Sequence, residues 1–223
     1  MKPAANFDSV ARWYRWLEYV VFGRALERCR FALLPALGDA RRVLILGEGD
    51  GRFLEKLLSI NSTAHIDVIE ASAVMLKLAR GRLSNEEARR VKFHLADARN
   101  WDFPKAEYDA IVTCFFLDCF SIETLTRLIP SVAASIRPGG DWLVAEFRQP
   151  RKGISALRAR LWLGVMYFFF CRSSRLEVCH LPQWEGILKS FGVEVGETID
   201  QQGGLLRAGH WYWKGNVSQV PVK

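Results

Sequence analysis

The sequence predicts an α/β fold built on a mostly parallel sheet, and three observations carry that expectation. Short apolar or β-branched runs alternate with longer stretches of helical period, as successive strand–helix units require. A glycine loop, Gly47-Glu48-Gly49-Asp50-Gly51, stands between one such strand and the helix after it. Residues 110–115 (AIVTCF) are almost continuously apolar, as in a strand covered on both faces.

Taken in order, Val10, Trp13, Tyr14, Leu17 and Val21 recur at helical spacing behind Asp8 or Ser9 as a cap, and Leu26, Cys29, Leu33 and Leu34 continue a second helix to Pro35. Two helices therefore precede the first strand, 42–46, which leads through the glycine loop into a helix over 52–60. A second unit follows, with a strand at 66–69, a helix capped by Ser72 and running through 83, and a third strand at 91–95. The fourth strand is 110–115. Ser121 opens a helix that stops by Pro138-Gly139-Gly140, and 142–147 is a fifth strand. Helical stretches at 154–171 and 182–191 precede two runs, 193–199 and 205–213, which flank Gln-Gln-Gly-Gly as in a terminal hairpin.

Composition bounds the function classes. A chain of 223 residues, half of them hydrophobic, has ample material for one core, and one domain is the default. The net charge of +7 suits an anionic partner, but it is spread over an early and a late group of arginines without the packed run of a nucleic-acid arm. Five cysteines form an odd set with no C-x-x-C pair, so neither a disulfide framework nor a zinc knuckle is indicated, and a reducing, cytoplasmic setting fits best. The longest apolar run, 161–171 (LWLGVMYFFFC), lies between Arg160 and Arg172 and is too short to span a bilayer; it can pack under the fold or dip into a lipid interface.

The chemistry concentrates at the strand ends. Three glycines in the 47–51 loop let backbone approach a ligand closely, while Arg52 holds the place of the third glycine in G-x-G-x-x-G, which argues against a dinucleotide. Glu70 ends the second strand nineteen residues beyond Gly51, where a carboxylate can accept both hydroxyls of a ribose, a reading that outweighs the alternative of a charge complementing the following helix dipole. Asp97 and Ala98 end the third strand, placed to hydrogen-bond an adenine edge, although Asp97 can also serve as a loop cap.

In this order, VLILGEGDGRF (43–53), VIEASAVMLKLA (68–79), FHLADA (93–98) and YDAIVTCFFLDCF (108–120) resemble the motifs of class I S-adenosylmethionine (SAM)-dependent methyltransferases. The flanks FDSVARWYRWLEYVVFG (7–23), PGGDWLVAEFRQP (138–150) and LPQWEGILKSFGVEVGE (181–197) are similar to the ubiquinone/menaquinone C-methyltransferases within that group. The resemblance implies a Rossmann-like three-layer sandwich whose seven-stranded, mostly parallel sheet has an antiparallel last strand. It implies lid helices in 1–40, a cofactor core in 41–150, a lid insertion in 151–180 and a C-terminal helix and hairpin in 181–215. SAM, leaving as S-adenosylhomocysteine, would meet Gly47, Glu48, Gly49 and Gly51 at its methionine part and Glu70 and Ala71 at its ribose. Met75 would meet an adenine face, Asp97 and Ala98 the adenine edge, with Phe115 at the end of the fourth strand and Tyr14 closing over the cofactor. Two positions depart from the family's pattern: Ile45 stands where an acid precedes the first loop glycine, and Arg15 where an acid follows the tyrosine.

The expected acceptor is a small, lipophilic molecule, quinol-like or lipid-like, and not a nucleic acid. Trp13, Trp16, Tyr19 and Phe22 early, and Trp162, Met166, Tyr167, Phe168, Phe169 and Phe170 late, could line its pocket beside arginines suited to a lipid surface; core packing accounts for any one of them. Methyl transfer from a sulfonium chiefly needs alignment, and a hydroxylic acceptor would gain from a base. Asp118 is the first candidate, with a helix cap or loop acceptor as its alternative role, and His180 the second. Two other readings stand beside this one: an aminopropyltransferase using decarboxylated SAM, disfavoured by the acid-free 113–117 stretch, and a non-catalytic SAM-binding module.

Overall fold

β1 (Arg42–Leu46), β2 (His65–Glu70), β3 (Val91–Leu95), β4 (Tyr108–Cys114) and β5 (Ile136–Phe147) lie parallel, and β6 (Val193–Gln201) and β7 (Leu206–Trp213) complete a seven-stranded sheet in the order β3-β2-β1-β4-β5-β7-β6. β7 runs antiparallel to both of its neighbours. The computed structural model describes residues 22–150, 154–173 and 178–213. The first expected helix and Tyr14 lie outside them.

The apolar run of β1 shows why the sheet is covered on both sides. Val43 and Ile45 join one core layer while Leu44 and Leu46 join the other, because successive side chains of a strand point to opposite faces. Against the first layer pack α1 (Ala25–Phe31), α2 (Arg52–Ile60), α3 (Ala73–Arg80) and α6 (Ile154–Ser173), through Leu26, Leu54, Leu76 and Leu163. α5 (Ile122–Ala134) and α7 (Trp184–Ser190) cover the second, through Leu125 and Leu188. The result is the three-layer α/β sandwich expected, with its antiparallel last strand.

Two capping serines act as anticipated: Ser72 Oγ accepts from Met75 N and Ser121 Oγ from Thr124 N, both at 3.1 Å. The 72–83 helix, however, ends at Arg80, and a capping box between Ser84 and Glu87 opens a further short helix, α4 (Asn85–Ala88). Pro138-Gly139-Gly140 does not end a helix. α5 stops earlier, at Ala134, and these residues belong to the first half of β5, where the pairing with β4 shifts between Tyr108 and Ala110. Such an irregularity is where a strand accommodates Pro and Gly; at Gly140 a Cβ would stand 2.6 Å from the Asp109 carbonyl oxygen.

Cys29, Cys114 and Cys119 are free thiols, but Cys179 is held in a disulfide, which the cysteine spacing did not announce. Among the described residues no helix is long and apolar enough to cross a membrane.

Candidate active site

The strand order turns back between β1 and β4: β2 and β3 follow on one side of β1, β4 and β5 on the other. Ligands of open α/β sheets bind at the carboxyl ends of the strands beside such a reversal. A cleft open to solvent lies there, floored by the glycine loop and walled by the residues that follow β2, β3 and β4.

The loop geometry rests on two close approaches. Gly47 has φ 69°, and a Cβ there would lie 2.6 Å from Phe116 Cδ2. Gly51, the N-cap of α2, has φ 89°, and its Cβ would lie 2.5 Å from Ala79 Cα of α3. Only glycine combines that φ with that proximity. Glu70 locks the loop from the neighbouring strand, its Oε2 accepting from Gly49 N at 3.1 Å and its Oε1 from Ser72 N at 2.9 Å. Each carboxylate oxygen has further lone-pair capacity for a ligand. Asp50, beside it, is clamped by Arg52 at 2.9 Å and Arg82 at 3.1 Å. Burial works against its charge, but the two guanidinium groups hold the carboxyl below the usual range.

Glu48 is bound differently. Its Oε1 accepts from Leu54 N at 3.0 Å, while Oε2 is fully enclosed and has no hydrogen-bond partner. Burial pushes this carboxyl up to about 8 against the pull of the Leu54 N–H and Arg30, and Asp50 and Glu70 raise it further.

Of the other residues singled out from sequence, Ala71, Met75, Asp97, Ala98 and Phe115 all line the cleft with the glycine loop and Glu70. Asp97 also takes the loop-cap role: its Oδ1 accepts from Arg99 N at 2.9 Å, and the Arg99 guanidinium grips the carboxylate. Burial opposes the charge there too, and the bonds from Arg99 keep the carboxyl low. Phe115 has φ 53°, a sparsely populated conformation for a residue with a side chain. It is held by a 2.7 Å bond from its N–H to Ala145 O, by the Phe147 ring at 4.9 Å, and by the Arg30 guanidinium 5.0 Å above its face.

The two base candidates are placed otherwise. His180 is exposed and is not part of the cleft lining. Asp118 is 5% exposed, with Tyr167 Oη donating to its Oδ2 at 3.2 Å and Cys119 Sγ to its Oδ1 at 3.5 Å. Cys119 and Phe120, not Asp118, line the cleft at this point. Burial lifts the Asp118 carboxyl to about 6, opposed by the bonds from Cys119 and Tyr167. Next to this cluster is a residue that sequence reasoning passed over. Glu146 of β5 is wholly buried, its Oε1 accepts from Phe116 N at 2.8 Å and Leu117 N at 2.7 Å, and its Oε2 has no partner. Burial, then Asp118, raises its carboxyl well above the ordinary value. An acid inside the apolar run WLVAEF was the available signal. Arg30 and Arg99, which also line the cleft, carried no such signal. Ile45 is 2% exposed in the core and brings no polar group to the site.

Residues 43–140 match the model of a methyltransferase domain. The ubiquinone/menaquinone biosynthesis C-methyltransferase UbiE of Ectopseudomonas mendocina is 32% identical over 154 residues, 67% of this chain and 59% of that protein. The chain thus spans about three fifths of the length of the curated relatives it matches. Among solved structures, the mitomycin 7-O-methyltransferase MmcR superposes with a TM-score of 0.67 at 15% identity, covering 92% of this chain and 60% of that one. A 1,6-didemethyltoxoflavin-N1-methyltransferase of Burkholderia thailandensis, solved with its substrate and S-adenosylhomocysteine, gives 0.64 at 16% identity over 92% of this chain and 84% of that one.

Proposed function

From a chain that carries a class I SAM-dependent methyltransferase domain, we propose an enzyme that methylates a small lipophilic acceptor, quinol-like or lipid-like. The observation that carries this reading is the division of the cleft: Glu48, Glu70 and Asp97 stand toward the loop and β2–β3 side, while Phe115, Phe116 and Phe120 form an aromatic wall after β4. The residues present fit the cofactor, since Glu70 keeps acceptor capacity for two hydroxyls and Glu48 keeps an enclosed, unpartnered oxygen. SAM supplies an electrophilic methyl group on a good leaving group. The protein's part is to hold donor and acceptor in line and to give the acceptor an apolar side, which the aromatic wall supplies.

Binding of S-adenosylhomocysteine, followed by calorimetry, tests the cofactor end. Glu70→Ala is expected to weaken it by about thirtyfold, a loss of about 2 kcal/mol, as for hydrogen bonds to a charged group. An unchanged affinity would remove Glu70 from the ribose site. Glu70→Gln keeps an acceptor for only one of the Gly49 and Ser72 N–H groups, so denaturant unfolding of the variants separates lost binding from loosening of the loop.

The relative named for quinone biosynthesis lends the acceptor class its support, and α6 adds a physical argument. Leu157, Leu161 and Val165 follow one another at four-residue spacing and are 72%, 69% and 57% exposed, with Trp162 and the exposed Arg160 beside them. An apolar stripe edged by cationic charge suits a lipid interface from which such an acceptor is drawn. The protein is expected to sediment with vesicles containing anionic phospholipid and Leu161→Asp to reduce the bound fraction several-fold. Equal sedimentation of the variant would take the stripe out of the account.

A further inference from the structure

We propose that Glu48 receives the α-ammonium of the cofactor's methionine part, and that the cofactor's arrival there expels the proton held on this carboxyl group. The inference rests on the reading of the cleft as the cofactor site and assigns within it a residue and a linked protonation step.

The argument begins with the carboxylates of the cleft. Asp50 is clamped by Arg52 and Arg82, and Asp97 by Arg99. Glu70 has a backbone N–H on each oxygen. Glu48 alone among these four has an oxygen that is both fully enclosed and without a partner. Its other oxygen is fixed by Leu54 N at the start of α2, so the carboxyl cannot swing out to solvent without breaking that bond. An enclosed, unpartnered carboxylate oxygen is costly, and a ligand cation that donates to it removes the cost.

The charges facing Glu48 come from every side of the cleft. Arg30 reaches in from α1, Asp50 and Arg52 stand at the start of α2, Glu70 closes β2, and Asp97 and Arg99 follow β3. Burial dominates this environment and keeps the carboxyl protonated at neutral pH, with a value of about 8. An ammonium seated against Oε2 favours the ionised form, so the carboxyl O–H gives its proton to solvent and the carboxylate accepts an N–H from the ligand. Arg30 lines the same cleft, which gives the ligand's carboxylate a cationic neighbour. Ile45, buried and apolar, brings no competing acceptor to this part of the cleft.

The sign of the pH effect follows. The free protein holds a proton that the complex has lost, so affinity rises with pH up to about 8, at a slope approaching tenfold per pH unit, and then levels. The test is calorimetric titration of S-adenosylhomocysteine into the intact protein at about pH 7, in two buffers of different ionisation enthalpy, together with the analogue that lacks only the amino group. Wild type is expected to release close to one proton with S-adenosylhomocysteine and none with the analogue. Glu48→Gln, which keeps an acceptor for Leu54 N, is expected to release none and to lose the pH dependence of binding. Tight binding without proton release, equal release with the analogue, or a variant that behaves as wild type would each overturn the assignment. Should Glu48→Gln fold poorly, the analogue on wild type decides alone. Absence of any S-adenosylhomocysteine binding would overturn it in a different way, by striking at the cofactor site itself.

Discussion

Gly51→Val is expected to destabilise the protein by about 4 kcal/mol and to abolish cofactor binding under conditions where much of it remains folded. Two costs add at this position. Valine at φ 89° pays a backbone strain of about 1–3 kcal/mol, and a Cβ 2.5 Å from Ala79 Cα forces α3 away from the loop at a further cost of about 1–3 kcal/mol. The displaced helix carries Ser72 and Met75 at its start, so the cleft wall moves with it. Denaturant unfolding checks the magnitude. Gly49→Ala is the internal comparison, because Gly49 shares a positive φ but a Cβ there meets nothing within 4 Å; about 1 kcal/mol is expected. If the two variants lose the same stability, the approach of α3 is not what demands glycine at 51.

Glu146→Ala is expected to cost about 3–5 kcal/mol. The substitution strips Phe116 N and Leu117 N of their acceptor at the point where the chain leaves β4, and buried N–H groups left unpaired cost about 1–3 kcal/mol each. A cavity adds to this. Glu146→Gln keeps an acceptor for both N–H groups and is expected to fall within about 1 kcal/mol of wild type at neutral pH. It should also flatten the pH dependence of stability. Asp118, at about 6, and Glu146 both have carboxyls raised above their unfolded values of about 4. The native state therefore holds protons that the unfolded chain releases, and wild-type stability falls as pH rises from about 4 through 6. Urea midpoints across that range measure it; a wild-type profile rising with pH would show these carboxyls to be charged and satisfied in the fold.

These two sites mark where sequence reasoning reached and where it stopped. The glycine loop, Glu70 and the serine caps were legible because their signals are local: a strand, a tight turn and a helix within twenty residues. The reason for Gly51 was not, because Ala79 is 28 positions away and enters only through helix packing. Glu146 and Tyr167 were missed or read as packing for the same cause. The backbone amides that Glu146 accepts from are 29 and 30 residues off, and Tyr167 meets Asp118 across 49. Asp118, read from sequence as a base on the acceptor side, is bonded instead to Tyr167 and Cys119 and does not line the cleft. His180 could not be placed from sequence, because its position depends on the path between α6 and α7.

The pairing of β7 between β5 and β6 bears on how the site comes into being. β7 is the last strand in chain order, yet it lies against β5, with Glu146 opposite Arg207 and Ala145 opposite Ala208, and α1 packs on it as well. A growing polypeptide on the ribosome thus has its glycine loop, β2 and β4 in hand long before the strand that shields β5 exists. Until then β5, which carries Glu146, is an open edge without its antiparallel ladder partner. Assembly of the cleft is set by the late, long-range closure of the sheet, so a refolding experiment should recover helical signal ahead of cofactor binding.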